Sequence, residues 1–327
     1  MTNDNLDRAF EAVNAADATA LARLLEADPG LLTLRDADER TLLFRACERA
    51  TGDIALPAVA GTAEQLAVVD LLLARGADVA AAAKHGLGPL HVAAMTGNAD
   101  LARRLLAAGA PRTGRLLGAS GGSPLALALF YGQTAVAELL ADPPEPDNLR
   151  TAAALGRPLA RFVNGAGLSQ DAAVGTDFYR PLLAFPEWNR TNSRQELLDE
   201  ALTWAARNGR CGAMAELVAL GANVNANAYR GTALLWATFT DRVEAATWLL
   251  DHGADPNLRH DFGGSEHGKN AVALHLAAQF SCLGCLRLLL ARGADTTVHD
   301  ATWNSTPLGW AEHVGASDSV AALRAHV

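Results

Sequence analysis

The stretch that decides the fold is VVDLLLARGAD, residues 68–78, which is followed after a short gap by GPLHVAAMTG, residues 88–97. Variants of both phrases recur along the chain. The GAD that closes the first phrase, or a near variant of it, begins at Gly76, Gly109, Gly221, Gly253 and Gly293. The second phrase begins at residues 88, 123, 232, 272 and 306. The first two of these glycines are 33 residues apart and the last two are 40 apart. A period near 33 residues is typical of a stacked repeat protein.

Each repeated phrase has a physical reason. Ser123-Pro124 and Thr306-Pro307 suit a helix N-cap followed by proline at the first helical position. The glycine of each GAD phrase suits the left-handed conformation that ends a helix. The many alanines let short helices pack at about 8–10 Å. Each unit is therefore predicted to be a helix pair and a turn, which buries its apolar face by stacking on its neighbours.

This unit strongly resembles the ankyrin repeat, whose signature includes T-P-L-H-x-A at a period of about 33 residues. The resemblance implies an all-α ankyrin-repeat solenoid of about nine helix-pair units including the caps, degenerate in the middle. We predict one domain, 1–327, with N-terminal units at 1–148, a degenerate unit plus insert at 149–195, and C-terminal units and cap at 196–327. The three prolines of DPPEPDN, residues 142–148, forbid helix there.

Composition limits the function and the compartment. Half of the 327 residues are hydrophobic (50%) and 19% are charged, which predicts a folded core. The net charge of -9 and the lack of a basic run argue against nucleic acid. The N-terminus lacks the pattern of a signal peptide, and no apolar stretch approaches the roughly 18 residues that span a bilayer. Four cysteines are too few for a disulfide scaffold, so no disulfides and a cytoplasmic location are predicted.

Two inserts interrupt the repeats: TDFYRPLLAFPEWNRTNSR at 176–194 and HDFGGSEHGKNA at 260–271. Both fall where an ordinary unit has a short turn. By resemblance, ankyrin turns project as fingers beside a concave face, and these inserts resemble those of bacterial single-domain ankyrin proteins. Equivalent slots lie along one edge of a stack, so both inserts are expected to overhang the same part of the groove. Alternatively, Phe178, Phe185 and Trp188 form a small satellite core inside the first insert.

The resemblance implies a protein-interaction module that recognises a partner protein on the concave groove and the finger loops. Exposed Tyr, Trp and Arg side chains dominate the binding energy of protein interfaces. The predicted binding set is Phe178, Tyr179, Arg180, Trp188, Arg190, Tyr229, Arg230, Phe239, Phe262, His267, Gln279 and Trp303. The concave face is also predicted to offer Thr96, Tyr131, Arg207 and His313.

The alternative is a small-molecule site beneath the two inserts, which would make the protein an unusual enzyme. An arginine would bind an anion, a tyrosine would supply a hydroxyl group, and a histidine with a carboxylate would move protons. These groups are Arg180 or Arg230, Tyr179, and His267 with Asp261 or Glu266. No spacing of a nucleophile, a base and an orienting group is present in the chain. Binding without chemistry is therefore the favoured hypothesis, and no cofactor is predicted.

Three further motifs are interpreted as structural. His91 and His275 hold the histidine position of the TPLH phrase and are predicted to make structural hydrogen bonds. Cys282 and Cys285 form a single CxxC at the start of a predicted helix, without the context of a redox site. The spacing of His260, Asp261, Glu266 and His267 matches no recognised metal site, so no metal is predicted.

Overall fold

The structure is a computed structural model that describes residues 4–51, 61–114, 122–141, 148–164, 167–173, 191–228, 230–261 and 268–326. These residues belong to two compact units, which are described separately. The described part of unit 1 lies within Met1–Glu145, and that of unit 2 lies within Pro146–Thr176 and Ala184–Val327. A single domain over 1–327 stays a prediction.

Unit 1 is a stack of four helix pairs. Its α-helices are α1 (Asp4–Asn14), α2 (Ala18–Ala27), α3 (Leu42–Thr51), α4 (Ala63–Ala74), α5 (Pro89–Thr96), α6 (Ala99–Ala107), α7 (Pro124–Phe130) and α8 (Thr134–Leu140), with 3-10 turns at Pro29–Thr33 and Lys84–Gly86. The first helix of each pair packs against the first helix of the next, in the order α1, α3, α5 and α7. The apolar side chains between these helices form the core of the unit.

Unit 2 repeats this arrangement after a single leading helix. Its α-helices are α9 (Leu149–Leu155), α10 (Arg194–Arg207), α11 (Cys211–Ala219), α12 (Ala233–Phe239), α13 (Val243–Asp251), α14 (Ala273–Gln279), α15 (Leu283–Ala291), α16 (Pro307–His313) and α17 (Ser317–Arg324). Its short strands are β1 (Val163–Asn164), β2 (Gly167–Leu168), β3 (His260–Asp261) and β4 (Lys269–Ala271), and its 3-10 turns are Ala160–Phe162 and Gln170–Ala173. The first helices α10, α12, α14 and α16 pack in sequence.

The all-α prediction is confirmed. The described ranges contain 17 α-helices, against a prediction of about eighteen, and their only strands pair as two short antiparallel hairpins. The β3–β4 hairpin contains the two ends of the predicted insert 260–271, because His260 pairs with Ala271. Helix pairs therefore provide the framework, and the hairpins are local additions to it.

The middle of the chain is degenerate, as predicted. Helix α9 ends at Gly156, whose φ of 68° is left-handed, and Pro158 follows without a backbone donor. Residues 156–164 and 167–173 contain no second α-helix. They form two 3-10 turns around the β1–β2 hairpin, in which Val163 pairs with Leu168.

The local rules that predicted the helix ends are confirmed. The Ser123 hydroxyl accepts a hydrogen bond from the backbone N–H of Ala126 at 3.1 Å, and the Thr306 hydroxyl accepts one from Gly309 at 3.2 Å. The five glycines of the GAD phrases have φ values between 77° and 103°. These glycines are Gly76, Gly109, Gly221, Gly253 and Gly293. A residue with a Cβ atom would be strained at each of these positions.

The two histidines of the TPLH phrase are structural, as predicted. Nδ1 of His91 accepts from the Gly88 N–H at 3.0 Å, so its Nε2–H is free to donate to the Gly114 carbonyl at 3.0 Å. His275 makes the same pair of bonds, to the Val272 N–H at 3.2 Å and the Ser305 carbonyl at 3.1 Å. Burial lowers the pKa of both imidazoles, which favours the neutral tautomer that these bonds require.

The CxxC pair lies in the core at the start of α15, in agreement with its structural interpretation. Cys282 and Cys285 are buried, and burial raises the pKa of Cys282 to about 12 and also raises that of Cys285. The backbone N–H of Cys285 donates to the Asp241 carboxylate of the preceding repeat at 2.7 Å. Thiols with raised pKa values are poor nucleophiles, so these side chains pack as small hydrophobic groups.

Candidate interaction cleft

A cleft of about 510 Å³ lies at the C-terminal end of unit 2. We call it the C-terminal cleft and define it by its lining residues, Gln279, Trp303, Ser305, Gly309, Trp310, His313 and Val314. Gln279 ends α14, Trp303 and Ser305 lie in the turn after α15, and the other residues belong to α16 and its C-cap. Three residues predicted from the sequence, Gln279, Trp303 and His313, therefore line one concavity.

The C-terminal cleft holds two of the three exposed large hydrophobic residues in the described part of the chain. Trp303 is 54% exposed and Val314 is 46% exposed, while the third residue, Val243, belongs to α13 and does not line the cleft. Single exposed apolar residues are common on protein surfaces, but apolar residues that gather in a concave site indicate binding.

Asp300 fixes the turn that carries Trp303. Its Oδ1 accepts from the backbone N–H groups of Thr302 and Trp303, both at 2.7 Å. Its Oδ2 accepts from the Ser305 N–H and from the indole N–H of Trp310, both at 3.0 Å. One buried carboxylate therefore joins the turn to α16 and orients both tryptophans of the cleft.

The charge of Asp300 is favoured where it lies. Burial alone raises the pKa of this carboxyl group, but the hydrogen bonds from Trp303, Trp310, Ser305 and Thr302 outweigh it and hold the pKa below its usual range. Because the folded pKa is lower than the unfolded one, Asp300 stabilises the fold fully at neutral pH. That stabilisation is lost as the pH falls through the folded pKa.

Replacement of Asp300 with asparagine is expected to lower the free energy of unfolding by about 1–2 kcal/mol, because four charge-assisted hydrogen bonds are weakened or lost. Urea denaturation followed by circular dichroism measures the change. Asp295→Asn is the matched control. The Asp295 carboxylate accepts a hydrogen bond from the Thr297 N–H in an exposed turn, and we expect its replacement to lower the free energy of unfolding by about 0.5 kcal/mol or less. Equal losses in the two variants would contradict this role of Asp300.

Trp310 forms the back wall of the C-terminal cleft. Its ring is 5% exposed and meets the Trp303 ring edge to face, with centroids 5.2 Å apart at 71°. The Trp310 ring also contacts the His275 ring, and the two ring centroids are 5.0 Å apart. Gly268, with φ of 98°, lies against the indole ring, and a Cβ atom there would collide with it. The wall is thus held by α14, α16 and the end of the β3–β4 hairpin.

Three polar side chains line the cleft without internal partners. Gln279, Ser305 and His313 make no side-chain hydrogen bond within the described residues, and each contributes at least one donor to the cleft. Gly309 lies on the floor, where any larger side chain would meet the Ser305 hydroxyl. The missing side chain leaves room for the Ser305 hydroxyl against α16. The cleft therefore combines an aromatic wall with neutral and imidazole hydrogen-bonding groups.

The remaining predicted binding residues have different locations. Phe178, Tyr179, Arg180, Trp188, Arg190, Tyr229, Phe262, Glu266 and His267 lie outside the described residues, and only the backbone of Asp261 is described. Arg230 is half-buried with φ of 54°. Phe239 is only 6% exposed, because its ring packs edge to face against Trp236 and Phe280. The roles of these residues in binding stay predictions.

Three other residues that the sequence placed on the concave face are buried. Thr96 and Tyr131 are buried, and the Thr96 hydroxyl donates to the Val92 carbonyl at 2.8 Å. Arg207 is fully buried, with its guanidinium 3.6 Å from the centre of the Trp236 ring. Short ankyrin-type helices pack so closely that long side chains on the first helix reach neighbouring rings before they reach solvent.

The sequence did not single out several residues of the cleft as functional. These are Asp300, Ser305, Gly309, Trp310 and Val314. The spacing of Trp303 and Trp310 was a usable signal. It places the Trp303 indole in the loop before α16 and the Trp310 indole within the first turn of that helix. The four hydrogen bonds to Asp300 depend on the folded turn, and no sequence pattern predicts them.

The absence of a metal site at His260, Asp261, Glu266 and His267 stays a prediction, because Glu266 and His267 lie outside the described residues. Among the described residues, no group of three or more His, Cys, Asp and Glu side chains is arranged to bind a metal ion. His260 is 3% exposed, and neither ring nitrogen has a hydrogen-bond partner among the residues that the structure describes. Burial, with a contribution from the charge of His275, lowers the pKa of His260 to about 3. Its imidazole is therefore a buried neutral group.

Among the described helices, none is long and apolar enough to cross a membrane.

Comparison with known families identifies the repeat. A family model for ankyrin repeats in three copies matches residues 58–151 and 172–260, and a model for a single ankyrin repeat matches residues 270–301. The matches cover more than half of the chain. The chain belongs to the ankyrin-repeat family, and the fold and the family predicted from the sequence are confirmed.

Two curated proteins are similar to parts of the chain. Cyclin-dependent kinase inhibitor 2A of Monodelphis domestica is 33% identical over 132 residues, which cover 40% of this chain and 73% of that protein. Protein PhlB of Serratia liquefaciens is 37% identical over 89 residues, or 27% of this chain and 36% of that protein. The family and the first relative indicate a protein-interaction module.

Proposed function

We propose that the protein binds a partner protein at the C-terminal cleft, and that the inserts 176–194 and 260–271 are further binding segments. The observation that carries the proposal is the position of Trp303 and Val314, two of three exposed large hydrophobic residues described, in one concavity. Tryptophan is one of the residues enriched at hot spots in protein interfaces.

The comparisons support a protein as the partner. Ankyrin repeats occur mostly as interaction scaffolds, and one similar protein is named as an inhibitor of a kinase, which is itself a protein. The net charge of -9 disfavours a nucleic acid. The four cysteines are thiols, three of them buried, which supports the proposal of a reducing cytoplasmic location.

The proposal predicts that Trp303→Ala abolishes partner capture without unfolding the chain. The immobilised full-length protein is incubated with an extract of the cells that produce it, and bound proteins are quantified by mass spectrometry. The loss of an interfacial tryptophan costs about 2 kcal/mol or more, equivalent to roughly 30-fold in affinity. Because Trp303 is 54% exposed, the melting temperature of the variant should stay close to that of the wild type.

Val243→Ala is the matched control. Val243 is 39% exposed and is not part of the cleft, so its variant should retain the same proteins as the wild type. A protein set that is captured equally by the wild type and by both variants would refute the proposed site.

A further inference from the structure

Among the described residues, the lining of the C-terminal cleft carries no acidic or basic side chain other than His313. The neighbouring carboxylate, Asp300, is 2% exposed and already accepts four hydrogen bonds. Against these described residues, an ionised side chain that entered the cleft would lose water without gaining an ion pair, which is costly. This part of the lining favours an uncharged segment as the occupant.

The aromatic wall favours a rigid apolar ring. Trp303 and Trp310 meet edge to face at 71°, and Trp303 is left 54% exposed at the cleft. Grooves lined by aromatic side chains are the sites at which proline-rich segments dock. Such segments already populate the extended polyproline II conformation, so they lose little entropy when they bind.

The polar lining favours a backbone that is rich in acceptors. The Gln279 amide, the Ser305 hydroxyl and the His313 imidazole can each donate a hydrogen bond, and none of these side chains has a hydrogen-bond partner in the described part of the chain. Proline has a carbonyl acceptor but no N–H, so a proline-containing segment presents carbonyl groups to these donors and leaves few donors of its own unpaired.

We infer that the C-terminal cleft binds an uncharged, extended segment of the partner protein that contains proline. The inference rests on the proposed function and deepens it. The proline ring packs against Trp303, the flanking apolar side chain contacts Val314 and Trp310, and the segment's carbonyl groups accept hydrogen bonds from Gln279 and Ser305.

The test uses a phage-displayed library of random 12-residue peptides, selected on the full-length protein. Enriched peptides are synthesised with a fluorescent label, and their dissociation constants are measured by anisotropy. We expect the enriched peptides to share proline and to lack charged residues in the shared core. Replacement of that proline by lysine should weaken binding by about tenfold or more.

Protein variants separate the contributions. Trp303→Ala is expected to weaken peptide binding by at least about tenfold, and Gln279→Ala by about threefold to tenfold, while Val243→Ala leaves it unchanged. Peptides that depend on Trp303 but contain no proline, or that require a charged residue, would overturn this inference and leave the proposed function standing. Peptides whose binding is insensitive to Trp303 would overturn both. A free sugar or nucleoside that binds through Trp303, with no peptide enriched, would also overturn both.

Discussion

Replacement of Glu200 with leucine is expected to lower the free energy of unfolding by about 3–5 kcal/mol, a large part of the stability of a typical domain. The Arg150 side chain is 0% exposed, the Glu200 side chain is 3% exposed, and Nη1 of Arg150 lies 3.1 Å from Oε1 of Glu200. The substitution removes the carboxylate and leaves the guanidinium charge in the interior of unit 2. Urea denaturation followed by circular dichroism measures the loss.

Glu312→Leu is the matched control for this prediction. Glu312 pairs with Arg324 at 2.7 Å, but the two side chains are 45% and 65% exposed. Exposed ion pairs contribute about 1 kcal/mol or less. The double variant Arg150→Met/Glu200→Leu should be more stable than Glu200→Leu alone, because it removes both charges of this buried pair. Equal losses for Glu200→Leu and Glu312→Leu would contradict the argument.

A second large effect is expected on acidification, through His260. Burial lowers its folded pKa to about 3, whereas the unfolded value is about 6.5. Because the folded pKa is the lower one, His260 does not reduce stability above about pH 6.5. Below that pH, stability falls by about 1.4 kcal/mol per unit until the folded pKa is approached, which amounts to about 2 kcal/mol at pH 5 and about 4 kcal/mol at pH 3.

The variant His260→Leu isolates this effect. It should be at least as stable as the wild type at pH 7, since neither ring nitrogen of His260 has a partner among the described residues that would be lost. At pH 5 it should exceed the wild type by about 2 kcal/mol more than at pH 7. His91 is also buried, but it is present in both proteins and cancels. His275, whose charge contributes to the low pKa of His260, is also retained in both proteins. The exposed His326→Leu serves as control, and a pH dependence unchanged by His260→Leu would disprove the prediction.

The repeat and the helix ends were predictable from the sequence because they follow from local backbone requirements. A glycine after an apolar helix, such as Gly253, predicts a left-handed residue, and a serine before proline, such as Ser123, predicts a cap. The histidine hydrogen bonds of His91 and His275 were predictable for the same reason. Each bond joins the imidazole to its own helix start or to the backbone of the next turn.

The candidate site was predictable only in part because it depends on contacts between repeats. Trp303 and Gln279 were identified from residue type and position. Arg207 was expected on the surface from its place in a helix, but its guanidinium stacks on Trp236 in the interior. The role of Asp300 arises from the fold of a single turn against α16. Packing between repeats decides which side chains are buried and which hydrogen bonds form, and the periodicity of the sequence does not encode this packing.

The central claim is that a partner protein occupies the C-terminal cleft, and fluorine NMR of the tryptophans tests it most directly. The six tryptophans of the full-length chain are labelled as 5-fluorotryptophan and assigned by single Trp→Phe variants. A protein or peptide obtained from the capture or display experiment is then added. We expect the resonances of Trp303 and Trp310 to shift, while that of Trp248 on α13, stacked on His252, stays unchanged. Unchanged Trp303 and Trp310 resonances in a saturated complex would contradict the account.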